Sequence, residues 1–278
     1  MTNPSNGHPL DALTHIVSAL NSGTGELYAC RQERKLVLPA EAALALRATV
    51  AQRMALEQWV PGRRQSLIHS IYFDTEDFAL YRRSLAGEGG LSVKLRLRAY
   101  GDAATPDRVD EMRFLEAKVS ATSPTGQRVK QKARVTLADG DLAKVLGAGS
   151  GSRSFKPASR KRFWTPLLGM MEAHDVLPRL TVCYQREAYM DSQAQLRITF
   201  DEGYRATPLV GAASPIAAPD GRIGEARIVE IKFLDQMPTW LSDELVRLGL
   251  PLEGQSFSKY KTAVPLLYPH MDLRDVAV

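Results

Sequence analysis

The sequence predicts a mainly β protein with flanking helices, an α+β chain in which an antiparallel sheet curls and turns a cationic face inward. Three observations carry this. First, the stretch SVKLRLRAY, Ser92 to Tyr100, alternates strictly: Val93, Leu95, Leu97 and Ala99 take one face, and Lys94, Arg96 and Arg98 the other. Second, apolar positions interleave with cations again around Lys35, Lys118, Lys132, Arg186, Arg197 and Lys232, several of them beside a carboxylate. Third, the strand-like segments are flanked by stretches of helical period. One strand of this kind turns its charges to water. A set of them either coats the outside of the sheet or lines a channel. Lining a channel costs several kcal/mol per unpaired ion, which a polyanionic guest or interleaved carboxylates would offset. The channel is the working expectation.

The elements follow in order. DALTHIVSALN, within residues 1–25, has the pattern of a short amphipathic helix in a mobile lead-in. ACRQERKLVLP reads as a strand with Arg31, Glu33 and Lys35 on one face, ended by Pro39. Residues 40–59, rich in Ala and Leu at helical spacing, form a helix packed on the outside of the sheet. Gln65 to Asp74 is the next strand, and a short helix, DFALYRRSL, follows with acids at its start. Gly87, Gly89 and Gly90 break the chain before Ser92. EMRFLEAKV puts Glu116 and Lys118 on one face. In QRVKQKARVTL four cations point one way, of which Lys132, with Lys130 or Arg134, is taken as inward.

Residues 138–146 suggest a short helix, and GAGSGSRSFKPASRKR a basic loop. Two long strands, PRLTVCYQREAYM and AQLRITFDEGY, are joined at MDSQ, and the second alternates Arg197, Thr199 and Asp201 with apolar residues. A Pro- and Gly-rich loop, residues 206–225, precedes the strand EARIVEIKFLD, in which Glu230 and Lys232 share a face. The end is helical, TWLSDELVRLGL and then SFSKYKTAVPLLY. No repeat or linker splits the chain, so residues 26–270 are read as one domain and 271–278 as a tail.

The 278 residues are 44% hydrophobic and 24% charged, as in a globular protein, and the net charge of +5 favours anionic partners. Aromatic residues are 7% and many fall at apolar strand positions, so no nucleic-acid partner is expected. No apolar run approaches the roughly 20 residues of a membrane span, and no secretory signal is seen, so a cytoplasmic location is expected. Cys30 and Cys183 read as core thiols, and the five scattered histidines do not form a metal site.

Taken together, ERKL (33–36), SIYFDT (70–75), KLRLRAYG (94–101), LEAKV (115–119), CYQREAY (183–189), LRITFDE (196–202), VEIKF (229–233) and SFSKY (256–260) resemble, in order, the catalytic domain of the vacuolar transporter chaperone family. These are the polyphosphate polymerases of the triphosphate tunnel metalloenzyme superfamily. The resemblance implies an antiparallel closed β-barrel tunnel. Where the wider superfamily typically has two glutamates and a lysine at alternate positions, this chain has Arg31, Glu33 and Lys35, which departs from the cyclase and thiamine-triphosphatase branch.

The resemblance implies that Lys35, Arg96, Arg98, Lys118, Lys132, Arg186, Arg197 and Lys259 hold phosphates, with hydroxyl contacts from Tyr184 and Ser258. Lys94, Lys130, Arg134 and Lys232 join them as candidate phosphate ligands. Of these, Arg96, Arg98, Lys118, Arg186, Arg197 and Lys259 are expected to be catalytic. Glu230 is the first candidate for a divalent metal, Mn2+ or Mg2+, and Glu33, Glu116 and Asp201 are weaker ones that equally suit salt bridges. The implied reaction transfers the γ-phosphate of ATP or another nucleoside triphosphate to polyphosphate. With water as acceptor the site would be a triphosphatase or polyphosphatase, and without turnover a binding module. Membrane tethering is expected only through an unidentified partner.

Overall fold

A computed structural model describes residues 32–85, 92–102, 109–122, 128–137, 145–146, 171–193, 195–209, 221–222 and 225–271. The expected lead-in helix, Cys30, Arg31, most of the 138–146 helix and the basic loop lie outside these. The strands are β1 (Gln32–Leu38), β2 (Ala55–Leu56), β3 (Ser66–Asp74), β4 (Ser92–Asp102), β5 (Val109–Thr122), β6 (Arg128–Thr136), β7 (Leu177–Met190), β8 (Leu196–Pro208), β9 (Gly221–Arg222) and β10 (Arg227–Phe233). The helices are α1 (Ala40–Arg53), α2 (Ala79–Leu85), α3 (Thr239–Arg247) and α4 (Lys259–Leu267).

All pairings described are antiparallel, and the main path of the sheet runs β1-β10-β8-β7-β3-β4-β5-β6, with β2 on β7 and β9 on β8. The mainly β architecture with flanking helices is therefore present. Closure is not: β1 and β6 end the order, and among the described residues no ladder joins them. The outer edge of β1 is met instead by the chain before α4. Gln255 N donates to Lys35 O at 2.7 Å, and Gln255 Oε1 accepts from Val37 N at 2.9 Å. These groups satisfy part of an edge that would otherwise seek another strand.

The sheet is nevertheless strongly curled. Lys118 on β5 feels the charges of Glu33 on β1 and Glu230 on β10. In a flat sheet five strand spacings, about 24 Å, would separate β5 from β10, and salt would screen them. Each side of the curl has its own apolar packing. Ile68, Tyr72, Tyr184 and Tyr204 pack inside against Tyr260, Ala263 and Val264 of α4. Outside, Ala43, Leu46 and Val50 of α1 and Leu241 and Leu245 of α3 cover Leu36, Ile198, Val229 and Ile231. Ile71, Phe73, Leu95, Leu97 and Leu115 form a third cluster. With both of its faces covered, β3 is buried along its whole length.

Two expected elements differ. The helix expected over 40–59 stops at Arg53, because Ala55 and Leu56 pair with Met190 and Tyr189 on β7 and override a good helical propensity. The expected loop from residue 206 begins as strand, since β8 runs to Pro208 with Ala206 and Thr207 opposite Val182 and Thr181. Cys183 is a buried thiol, pushed up to about 12 by burial. No described helix is long and apolar enough to cross a membrane.

A candidate anion site on the concave face

The alternation in β4 sends Lys94, Arg96 and Arg98 to the concave face and Val93, Leu95 and Leu97 to the core outside it. Registry then sets their neighbours. Arg96 lies across from Glu116, which lies across from Arg134, while Lys94 lies across from Lys118, and Lys118 from Lys132.

Glu116 gathers the first group of cations. Its Oε2 accepts from Arg96 Nε at 2.7 Å, and its Oε1 from Arg134 Nε at 2.7 Å and Lys132 Nζ at 2.8 Å. Arg98 Nε is 3.8 Å from Oε2. Burial alone would raise this carboxyl, but Arg96, Arg98, Lys132 and Arg134 together hold it well below the usual carboxylate range. Both of its oxygens are engaged by cations, the salt-bridge role that the sequence also allowed it. Of the open choice between Lys130 and Arg134, Arg134 turns inward, and the side chain of Lys130 lies outside the described set.

Asp201 organises the second group. It takes Arg186 in a two-pronged contact, Nε to Oδ1 at 2.6 Å and Nη2 to Oδ2 at 2.7 Å, and Lys259 Nζ at 2.8 Å. Lys259 also sits 4.5 Å from the centre of the Tyr184 ring and 5.1 Å from that of Tyr204, whose electron-rich faces favour an ammonium. Burial would raise Asp201, and Arg186 with Lys259 lower it on balance.

The third group is on β1 and β10. Lys232 Nζ is 2.7 Å from Glu230 Oε1, Arg186 Nη2 is 3.8 Å from Glu230 Oε2, and Lys35 Nζ is 3.0 Å from Glu33 Oε1. The Glu33 and Glu230 carboxyls lie within hydrogen-bonding reach of each other, and the cations hold Glu230 well below its ordinary value against burial. These two glutamates are the neighbouring carboxylates a divalent ion would use. Among the described residues no cluster of three or more His, Cys, Asp or Glu forms a metal cage.

A fourth group has cations without a carboxylate at its centre. Lys94 Nζ is 3.1 Å from Ser258 Oγ, and Lys35 Nζ donates to Phe257 O at 3.3 Å. Burial, and then the charges of Lys261, Lys118, Lys35 and Arg96, bring Lys94 down to about 7. Lys118 is lowered for the same reasons, with Glu33 and Glu230 opposing.

Arg197 joins the face at its rim, where Nε meets Glu57 Oε2 at 2.6 Å beside the short strand β2. Three participants were not singled out from the sequence. Tyr72 accepts from Arg96 Nη1 at 3.4 Å and Tyr100 from Arg134 Nη2 at 3.4 Å; Tyr72 sits in a strand that reads as core, whereas Tyr100 continues the face of Lys94, Arg96 and Arg98. Lys261 was legible only as the residue one turn past Ser258.

The family model described as the VTC domain matches residues 30–268. Vacuolar transporter chaperone complex subunit 4 of Trypanosoma brucei brucei is 26% identical over 247 residues, covering 78% of this chain and 30% of that protein. The Trypanosoma cruzi subunit 4 is 26% identical over 242 residues, 77% of this chain and 30% of that one. The chain thus spans less than a third of the length of these relatives. Among solved structures, an adenylyl cyclase candidate from Hippeastrum with a dominant triphosphatase activity superposes with a TM-score of 0.48 at 17% identity, over 86% of this chain and 98% of that one. A Pyrococcus horikoshii protein gives a TM-score of 0.38 at 11% identity, over 80% and 92%. With the family model running from the first described strand through the last helix, the chain belongs to the VTC domain family.

Proposed function

We propose that the chain is a metal-dependent polyphosphate polymerase that transfers the γ-phosphoryl group of ATP, or of another nucleoside triphosphate, to a growing polyphosphate chain. The observation that carries this reading is the excess of basic groups on the concave face, where Lys94 and Lys118 lie across from each other on adjacent strands and both are lowered by burial and nearby cations. A protein tolerates such crowding when a guest of high negative charge relieves it. The family membership and the subunit 4 relatives support the same substrate class.

In this reading Arg96, Arg98, Arg134 and Lys132 hold one stretch of phosphates, and Arg186, Lys259, Lys35 and Lys232 another. Arginines contribute planar pairs of donors and lysines compact charges. The carboxylates of Glu116 and Asp201 fix the guanidiniums in place before substrate arrives, so less ordering is left for the reaction itself. Glu33 and Glu230 would hold Mg2+ or Mn2+, since such ions are bound through one or two carboxylates with phosphate oxygens completing the shell. The ion would neutralise charge on the transferring group. A terminal phosphate of the acceptor is already ionised and attacks in line without a base. The functional unit is taken as residues 26–270, in the cytoplasm, with membrane attachment through a partner.

The test is incubation with ATP and Mn2+, followed by separation of long-chain product from free phosphate. Polymer is expected from the wild-type chain. Arg96→Ala should lose both triphosphate binding and turnover, and Glu230→Gln turnover alone. Free phosphate without polymer would make the protein a triphosphatase, and binding without either product a polyphosphate-binding module.

A further inference from the structure

Ser258 stands where a hydroxyl can do more than bind phosphate. It is the N-cap of α4, and its Oγ accepts the Lys261 N–H at 3.4 Å. The nearest side-chain partner of that oxygen is Lys94 Nζ at 3.1 Å, within the range that couples a nucleophile to its base. Ser258 is half-buried, so a ligand on the concave face can reach it. Lys35 holds the carbonyl of the preceding residue, Phe257, and Lys259 follows in sequence. Phosphate oxygens on Ser258 would meet these ammoniums and the amide end of a helix, both of which favour negative charge.

Lys94 suits the part of proton acceptor. Burial and the positive charges of Lys261, Lys118 and Lys35, with Arg96 on its own strand, bring it to about 7, so much of it is a neutral amine at physiological pH. No carboxylate is among the charges that act most strongly on it. Serine–lysine pairs of this kind activate a hydroxyl where no histidine is at hand.

We propose that Ser258 is a phosphoryl acceptor and Lys94 its general base, so that a triphosphate bound on this face forms a covalent phosphoserine. Lys94 Nζ takes the proton from Ser258 Oγ as the Oγ–P bond forms to the terminal phosphorus. The bond from that phosphorus to its bridging oxygen breaks, and the electron pair leaves with the diphosphate. The products are a phosphoserine dianion, the diphosphate and an ammonium at Lys94. The inference rests on the reading of this face as a triphosphate site, and adds an acceptor that belongs to the protein itself.

The experiment incubates the full chain with Mg2+ and inorganic triphosphate labelled at its terminal phosphates, quenches in acid and maps the label by peptide mass spectrometry. Acid-stable phosphate is expected on Ser258 and absent in Ser258→Ala. Lys94→Arg keeps the positive charge but cannot give up a proton at this pH, so labelling should slow by about 100-fold. Triphosphate binding by calorimetry should change far less. Wild-type labelling should rise with pH at or above the value of about 7 that Lys94 has before the anion binds, and Lys94→Arg should lose that rise.

A Ser258 peptide free of phosphate while triphosphate is still consumed overturns the pair and leaves the polymerase reading standing. Label that survives Ser258→Ala, or Lys94→Arg labelling at the wild-type rate, also overturns it. Label on Ser258 supports the pair, and polymer formation from ATP decides the polymerase reading separately. Absence of both label and triphosphate turnover overturns the pair, while polymer formation from ATP remains the measure of the polymerase reading.

Discussion

Glu116 shows how a single buried carboxylate can keep a cluster of cations in order. With 2% of its side chain exposed, it answers Arg96, Lys132 and Arg134 directly and Arg98 at longer range. Glu116→Ala leaves those charges facing one another and is expected to cost about 3–5 kcal/mol, the usual penalty for removing one partner of a buried ion pair. Inorganic triphosphate should restore more stability to the variant than it adds to the wild type, because it takes over the missing charge. Denaturant unfolding with and without triphosphate measures both effects. The same residues fix the pH response. Glu116, Asp201 and Glu230 all have folded pKa values below their unfolded ones, so the unfolded chain takes up protons first on acidification. The stability they contribute is complete at neutral pH and should fall from about pH 5 downward, as urea midpoints recorded between neutral and acid pH will show.

At the scale of elements, α4 is held by more than its apolar stripe. Asp74, at the end of β3, accepts from Thr75 N at 2.8 Å, Leu80 N at 2.8 Å and Tyr81 N at 2.9 Å, and it also accepts the Tyr260 hydroxyl. One carboxylate thus ties the start of α2 to α4, which in turn places Ser258 and Lys259. Asp74→Ala should destabilise by about 3 kcal/mol or more, since it strands several donors at once, and Tyr260→Phe by about 1 kcal/mol. Equal effects in chemical denaturation would mean that the tyrosine, not the backbone, is the main client. Strand alternation made the cationic face legible from sequence at β4, β5 and β10, because period two fixes facing regardless of what lies opposite. It could not reveal Asp74 or the end of α1 at Arg53. SIYFD reads as a core strand with an acidic end, and residues 54–59 are good helix formers until β7 pairs with them. Both outcomes are decided by partners far away in the chain.

For the molecule as a whole, the governing quantity is a field rather than any one contact. Cations from strands at both ends of the sheet order converge, so binding of triphosphate should weaken steeply with salt. Raising ionic strength about tenfold shortens the screening length about threefold and should lower triphosphate affinity at least about tenfold, with a much smaller change for monophosphate. Calorimetry at two salt concentrations tests this, and equal salt dependence for both ligands would argue for a local site without a long-range field. Curling was legible from the number of cationic strand faces, which a flat solvated sheet does not need. The open edge was not, because it depends on Gln255 reaching the backbone of Lys35 and Val37, and no periodicity encodes that contact.

The ladder between β1 and β10 carries a further consequence for biogenesis. Gln32 pairs with Phe233 and Leu38 with Arg227, so the earliest described strand finds its mate in a strand made much later in the chain. Such long-range pairing is slow to form and leaves a bare strand waiting in the nascent chain. Until β10 has been made, Glu33 and Lys35 have no Glu230 or Lys232 beside them, and these two strands cannot yet grip phosphate between them.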